Sequence, residues 1–183
     1  PMLVAIGGFS GSGKSTLAAA LAPRLGRVPG AAILRSDVIR KRLLRVDDTV
    51  RLPPAAYDPA TNRRVYREMA RSAETLLAAG HSVIADAVFG EPAERAQIGA
   101  VAARLSAPFH GLWLEAPIDS LSRRVEGRTG DASDATGEVV RRQVATLHPP
   151  GDWRRIDASA PRETVASVAG RMLGAQSSRQ VSL

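Results

Sequence analysis

Ten residues near the start of the chain, Gly7-Gly8-Phe9-Ser10-Gly11-Ser12-Gly13-Lys14-Ser15-Thr16, constrain the fold more than any other stretch. From Gly8 to Ser15 they fit G-x-x-x-x-G-K-[ST] at every fixed position. An apolar run, Leu3-Val4-Ala5-Ile6, precedes them and reads as a buried parallel strand. Leu17, Leu21 and Leu25 follow at helical spacing. A strand that turns through glycines into a helix can gather successive backbone N–H groups into one concavity, and the helix adds its positive dipole end. Such a concavity holds a nucleotide's phosphates. Gly8, Ser10, Gly11, Ser12, Gly13, Lys14, Ser15 and Thr16 are the expected contacts. Lys14 would bridge the β- and γ-phosphates of ATP, and the Ser15 hydroxyl would ligate Mg²⁺.

The rest of the chain alternates short apolar runs with longer amphipathic ones. Strands are expected over 31–34, 81–87, 109–114 and 153–156, and helices over 38–44, 61–79, 91–105, 118–125, 138–147 and 161–173. Ser36 is placed to cap the helix at 38–44, and Gly80 to end the long one. The stretch 47–59, with Pro53, Pro54 and Pro59, reads as a loop. Strands alternating with helices predict an α/β fold, a parallel sheet covered on both faces. The 183 residues suit one domain. It is expected over 1–175, with a polar, glycine-containing lid at about 124–137 and a flexible tail at 176–183.

Hydrophobic residues make up 44% and charged residues 23%, a globular balance. No run approaches the roughly 18 apolar residues of a membrane span, and no cleavable leader is visible. There is no cysteine, so disulfides and thiolate metal sites are excluded, and a cytoplasmic location is expected. The net charge of +7 rests on 23 Arg against two Lys. Phosphorylated small molecules or nucleic acid are the partners such a charge attracts, and a solvated arginine-rich surface accounts for it equally well.

A phosphate cradle alone does not separate transfer from hydrolysis or sensing. Transfer needs a group beside the acceptor hydroxyl. Asp37 stands 23 residues after Lys14, at the carboxyl end of the second strand, where ligands of open α/β sheets gather. It can accept the hydroxyl proton, or it can be a helix-capping residue; the spacing alone leaves both open. Arg40, one turn on, can hold an anionic part of the substrate or lie on the surface. Asp86 ends the third strand, the position from which an aspartate reaches Mg²⁺. Phe89 and Arg95 follow closely as candidate linings of the acceptor pocket, with Phe89 equally suited to the core. Arg124 and Arg128, one turn apart before the polar loop, are candidate lid arginines that stabilise the transferring phosphoryl group.

With these pieces in order, the chain resembles the small P-loop kinases grouped with gluconate kinases, zeta toxins, chloramphenicol phosphotransferases and polynucleotide kinases. It is most similar to their predicted-kinase branch, with an AAA_33-like ATP-binding domain. The stretches carrying the resemblance are GGFSGSGKST, RSDVIRKRL, SVIADAVF, GLWLEAP, RTGDASDAT and IDAS. The resemblance implies a P-loop NTPase fold, a five-stranded parallel sheet of the nucleoside monophosphate kinase type with a mobile lid. It implies Asp37 as catalytic base, through a D-x-x-R match at Asp37 and Arg40, Arg124 and Arg128 as lid arginines, and Ser159 near the adenine. Tyr57, Asn62 and Tyr66 fall where relatives place acceptor contacts. In that branch the domain often follows an aminoglycoside-phosphotransferase-like domain in a longer protein. A start at Pro1 is compatible with such an origin or with processing.

The expected function is therefore ATP- and Mg²⁺-dependent transfer of a γ-phosphate to the hydroxyl of a small-molecule acceptor. A polynucleotide 5′-hydroxyl kinase is the second reading, weakened by an aromatic content of only 4%. An ATP-binding regulatory module of a larger protein is the third, and an acceptor base would be of no use to it.

Overall fold

The structure is a computed structural model of the chain that describes residues 1–127 and 133–174. Five parallel strands form one sheet: β1 (Leu3–Gly8), β2 (Ala32–Arg35), β3 (Val83–Asp86), β4 (Phe109–Glu115) and β5 (Arg154–Asp157), in the order β2-β3-β1-β4-β5. The helices are α1 (Lys14–Leu21), α2 (Ser36–Leu44), α3 (Pro59–Ala78), α4 (Pro92–Arg104), α5 (Ile118–Glu126), α6 (Gly137–Thr146) and α7 (Arg162–Met172). Each expected strand and helix is present, with ends shifted by a few residues. The loop expected over 47–59 contains a short 3₁₀ turn at Pro54–Tyr57. Among the described residues no helix is long and apolar enough to cross a membrane.

The continuous apolar character of the strands has a direct cause. Side chains alternate across a strand, and here both faces are covered. Leu3, Ala5, Val83 and Ala85 point to one side, against Ile39 of α2, Val65 and Met69 of α3 and Val101 of α4. Val4, Ile6, Ile84, Leu112 and Leu114 point to the other, against Leu17 and Leu21 of α1 and Val165 and Ala169 of α7. A smaller cluster of Leu121, Val125 and Val140 joins α5 to α6 beside the sheet edge.

Local signals set the ends. The Asp58 carboxylate accepts from the amides of Ala60 and Thr61 at 2.8 and 3.1 Å, with Pro59 in the first turn, so α3 starts there. Gly80, at φ 85°, ends it in the left-handed conformation. Ser36 does not cap α2. It is the helix's first residue, the capping position belongs to Arg35, and no side chain caps that end.

The register aligns the chemistry. Ile6 of β1 and Arg35 of β2 both lie opposite Asp86 of β3, so β2 and β3 end level and β1 runs two residues further, to Gly8. The chain leaves β1 for β2 and β3 on one side and later returns to β4 on the other. The cleft outside the carboxyl ends at this reversal receives the phosphate loop, α2, and the segments after β3 and β4.

Candidate active site

The glycine-rich loop runs from Gly8 to Gly13 and ends directly in α1. Gly11 has φ 84°, and a Cβ there would lie 2.5 Å from the Leu121 carbonyl oxygen, so the loop can pass under α5 only as glycine. Lys14 Nζ donates to the carbonyls of Gly8 and Phe9 at 2.8 and 3.0 Å, folded across the cradle. Ser12 is 2% exposed; its amide donates to the Phe9 carbonyl at 3.1 Å, and its buried hydroxyl has no hydrogen-bond partner. The Ser10 amide donates to Gln143 Oε1 of α6 at 2.9 Å.

Ser15 Oγ donates to Asp86 Oδ2 at 2.6 Å, joining the cradle to the end of β3. Arg35 Nε lies 3.7 Å from the same carboxylate oxygen. Asp37, in the first turn of α2, faces the same cavity as Lys14, Ser15 and Asp86. Burial pushes its pKa up and the neighbouring Asp86 charge adds to this, while Lys14, Arg35 and Arg40 oppose it.

That cavity, of about 720 Å³, extends from the phosphate loop past Asp37 to Tyr57, Asn62 and Tyr66. Tyr57 donates its hydroxyl proton to Asp134 at 2.7 Å. Burial and that bond push the Tyr57 pKa up. The Tyr66 hydroxyl accepts from the Phe89 amide at 3.1 Å. Arg40 lines the cavity but is 5% exposed and committed to protein groups. Its Nη1 donates to Ala56 O at 3.0 Å, its Nη2 to Asn62 Oδ1 at 2.8 Å, and its guanidinium stacks 4.4 Å from the Tyr57 ring centre. Both terminal nitrogens thus brace the acceptor wall, and the buried Nε has no hydrogen-bond partner.

Two expected linings stand elsewhere. Phe89 is 0% exposed and packs between Tyr66 and Trp153, with ring centres 5.5 and 5.3 Å away. Its φ of 52° turns the side chain inward from the strand end. Arg95 donates through Nη1 to the carbonyls of Phe89 and Gly90 at 2.8 and 2.9 Å, holding that unusual turn instead of facing the cavity.

A second cleft, on the other side of the loop, is lined by Gly11, Gly13, Ser15, Thr16, Arg124 and Ala158. Arg124 Nη2 donates to Ala158 O at 2.9 Å, tying α5 to the segment after β5. Ser159 is exposed between two lining residues, and its amide donates to Asp157 Oδ1 at 2.8 Å. Arg128 and part of the expected lid lie outside the described residues, as does the tail at 176–183.

Three further groups complete the walls. Asp134 accepts from Leu52 N at 3.1 Å and from Tyr57 Oη, and lies 3.6 Å from Lys41 Nζ. Glu94, in the first turn of α4, lines the cavity beside Tyr66. Gln143 reaches the phosphate loop from α6. No local pattern announces them, because each is brought in by an element distant in sequence.

The fold is shared with solved kinases. A sugar kinase from Janibacter sp. HTCC2649 superposes with a TM-score of 0.66 at 22% identity, covering 95% of each chain. An APS kinase of Mycobacterium tuberculosis, solved with AMPPNP and APS, gives 0.70 at 20% identity over 94% of this chain and 97% of that one. An uncharacterized protein of Mycobacterium tuberculosis is 36% identical over 88% of this chain, which spans 32% of that relative's length. Residues 3–150 match the AAA_33 model, an AAA domain, and the chain accordingly belongs to the AAA_33 family.

Proposed function

We propose that the protein is an ATP- and Mg²⁺-dependent phosphotransferase that moves the γ-phosphate of ATP to a hydroxyl of a small-molecule acceptor. The observation carrying this reading is that Asp37 shares one cavity with Lys14, Ser15 and Asp86, and that the cavity continues beyond the phosphate loop into a polar chamber.

The donor set fits the metal: a hydroxyl and a carboxylate already in contact, Ser15 and Asp86, are hard oxygen ligands of the kind Mg²⁺ takes together with phosphates. Bound there, Mg²⁺ neutralises charge on the phosphates. Lys14 swings from the Gly8 and Phe9 carbonyls onto the β- and γ-phosphates. Asp37 accepts the proton of the acceptor hydroxyl; the oxygen forms its bond to the γ-phosphorus as the bond to the bridging oxygen breaks, and ADP leaves. Burial raises the basicity of Asp37, which suits it to this transfer. Arg124 of α5, together with Arg128, supplies positive charge.

Incubating the protein with γ-labelled ATP and a metabolite extract tests the reading. Labelled product is expected from the wild type and none from Asp37→Ala, with ATP affinity little changed. Near-normal turnover by the variant would remove Asp37 from its role. Labelling of oligonucleotide 5′ ends at low salt would favour the polynucleotide reading, and nucleotide binding without a product from any acceptor would favour a regulatory module of a longer protein.

A further inference from the structure

The chain carries a net charge of +7, yet the inner wall of the acceptor chamber is not basic. Four cations border the cavity: Lys14, Arg40, Arg51 and Arg142. Lys14 serves the phosphate loop, and both terminal nitrogens of Arg40 are bonded to Ala56 and Asn62. Arg51 and Arg142 are exposed, at the rim. Seven carboxylates border the same cavity, so an anionic acceptor meets an excess of negative charge there.

Glu94 is one of these carboxylates. It is half-buried on the chamber wall in the first turn of α4. Oε2 accepts from the Glu91 amide at 3.1 Å, and the carboxylate lies beside the Tyr66 hydroxyl. Among the described residues no lysine or arginine forms an ion pair with it. The neighbouring Arg95 has both contacts of its Nη1 on backbone carbonyls. Burial, the largest effect on Glu94, pushes its pKa up, while the Glu91 amide, the Tyr66 hydroxyl and the Arg95 charge act against it. A half-buried carboxylate of this kind gains most from a cation brought by a ligand. The rest of the wall is polar as well: the Tyr57 and Tyr66 hydroxyls and the Asn62 amide border the cavity, held in place by bonds to Asp134, the Phe89 amide, Arg40 and the Tyr57 carbonyl, and the hydroxyls keep lone pairs for the hydroxyl groups of a ligand.

Resting on the reading of the protein as a hydroxyl phosphotransferase, we propose that its acceptor is a polyhydroxylated amine, an amino sugar or aminocyclitol, whose ammonium group is held by Glu94. Asp37 and Glu94 follow neighbouring strands, β2 and β3, and line one cavity. The hydroxyl to be phosphorylated and the ammonium therefore sit on different parts of one acceptor, and Glu94 determines specificity without touching the reacting atoms.

The test is a panel of mono- to trisaccharide amino sugars and aminocyclitols, each paired with its N-acetylated form, together with gluconate and a 5′-hydroxyl oligonucleotide. Phosphorylated product is followed by mass and ATP binding is measured separately. The amines are expected to exceed their N-acetylated partners in kcat/KM by about tenfold or more, the scale of one charge-assisted hydrogen bond. The difference should lie mainly in KM. Glu94→Gln should bring the ratio close to one, and Glu94→Asp should restore part of it. Equal or faster turnover of N-acetylated or anionic acceptors overturns the proposal and leaves the phosphotransferase standing. ATP binding with no product from any acceptor overturns both. Should Glu94→Gln fail to fold, the wild-type ratio decides alone.

Discussion

Ser15 Oγ stands 2.6 Å from Asp86 Oδ2, a hydrogen bond between residues 71 apart in sequence that closes the phosphate cradle onto the end of β3. The β1–β3 pairing sets Asp86 opposite Ile6, and Ser15 comes to it from the first turn of α1, directly after the phosphate loop.

That bond predicts how the two residues act on metal. Ser15→Ala and Asp86→Asn should each weaken Mg²⁺-dependent ATP binding by about 10- to 100-fold, as loss of a ligand or its oriented partner does elsewhere. ATP affinity measured in chelator should change far less. Calorimetric titration with and without Mg²⁺ separates the two, and an equal loss in both conditions would assign the pair to loop architecture.

Asp37 carries a prediction with opposite signs for activity and stability. Burial, aided by Asp86, holds its folded-state pKa above the unfolded value. Its contribution to stability is then fully present below the unfolded pKa and is lost as pH rises through the folded one. At pH 7 the charged carboxylate is a cost, so Asp37→Asn should raise the Tm of the nucleotide-free protein, with the gain shrinking towards pH 4. The same variant should lose turnover by roughly 10²–10⁴-fold, the usual worth of a general base. A lower Tm at pH 7 would mean that Lys14, Arg35 and Arg40 outweigh burial.

Much of this arrangement was legible in the chain. The strands announce themselves because a doubly covered parallel sheet needs continuous apolar runs, and Asp37 and Asp86 stand where two of those runs stop. Arg40 was harder to read. The D-x-x-R spacing places it one turn from Asp37, but its partners are the Ala56 carbonyl, set by the path of the 3₁₀ turn at Pro54–Tyr57, and Asn62 of α3. Phe89 and Arg95 depend on one backbone torsion, φ 52° at Phe89, that no neighbouring residue signals. Glu94, Asp134 and Gln143 meet the site only through tertiary packing.

Lys41 and Asp134 form a buried pair, their side chains 1% and 7% exposed. Lys41 Nζ also donates to Asp48 O at 2.7 Å, and Asp134 also accepts from Leu52 N and Tyr57 Oη. Asp134→Ala strands the ammonium in a dry setting and should cost about 3–5 kcal/mol. Lys41→Met should cost less, since Asp134 keeps two donors. Urea unfolding of both variants checks the order, and a reversed order would show the chain's conformation around Lys41 to be the more demanding element.

The last prediction concerns Phe89. Its ring fills the space between Tyr66 and Trp153, so Phe89→Ala should cost about 3–5 kcal/mol. Its backbone, however, lies in the left-handed region that only glycine adopts without strain. Glycine is ordinarily worse than alanine by about 0.5–1 kcal/mol inside regular structure. Here the order should invert, with Phe89→Gly at least as stable as Phe89→Ala, because glycine creates a similar void but relieves the torsion. Thermal unfolding of the two variants decides between them. If alanine proves the more stable by the ordinary margin, the positive torsion at residue 89 carries no strain, and the loop that Arg95 braces through Phe89 O and Gly90 O is held by packing alone.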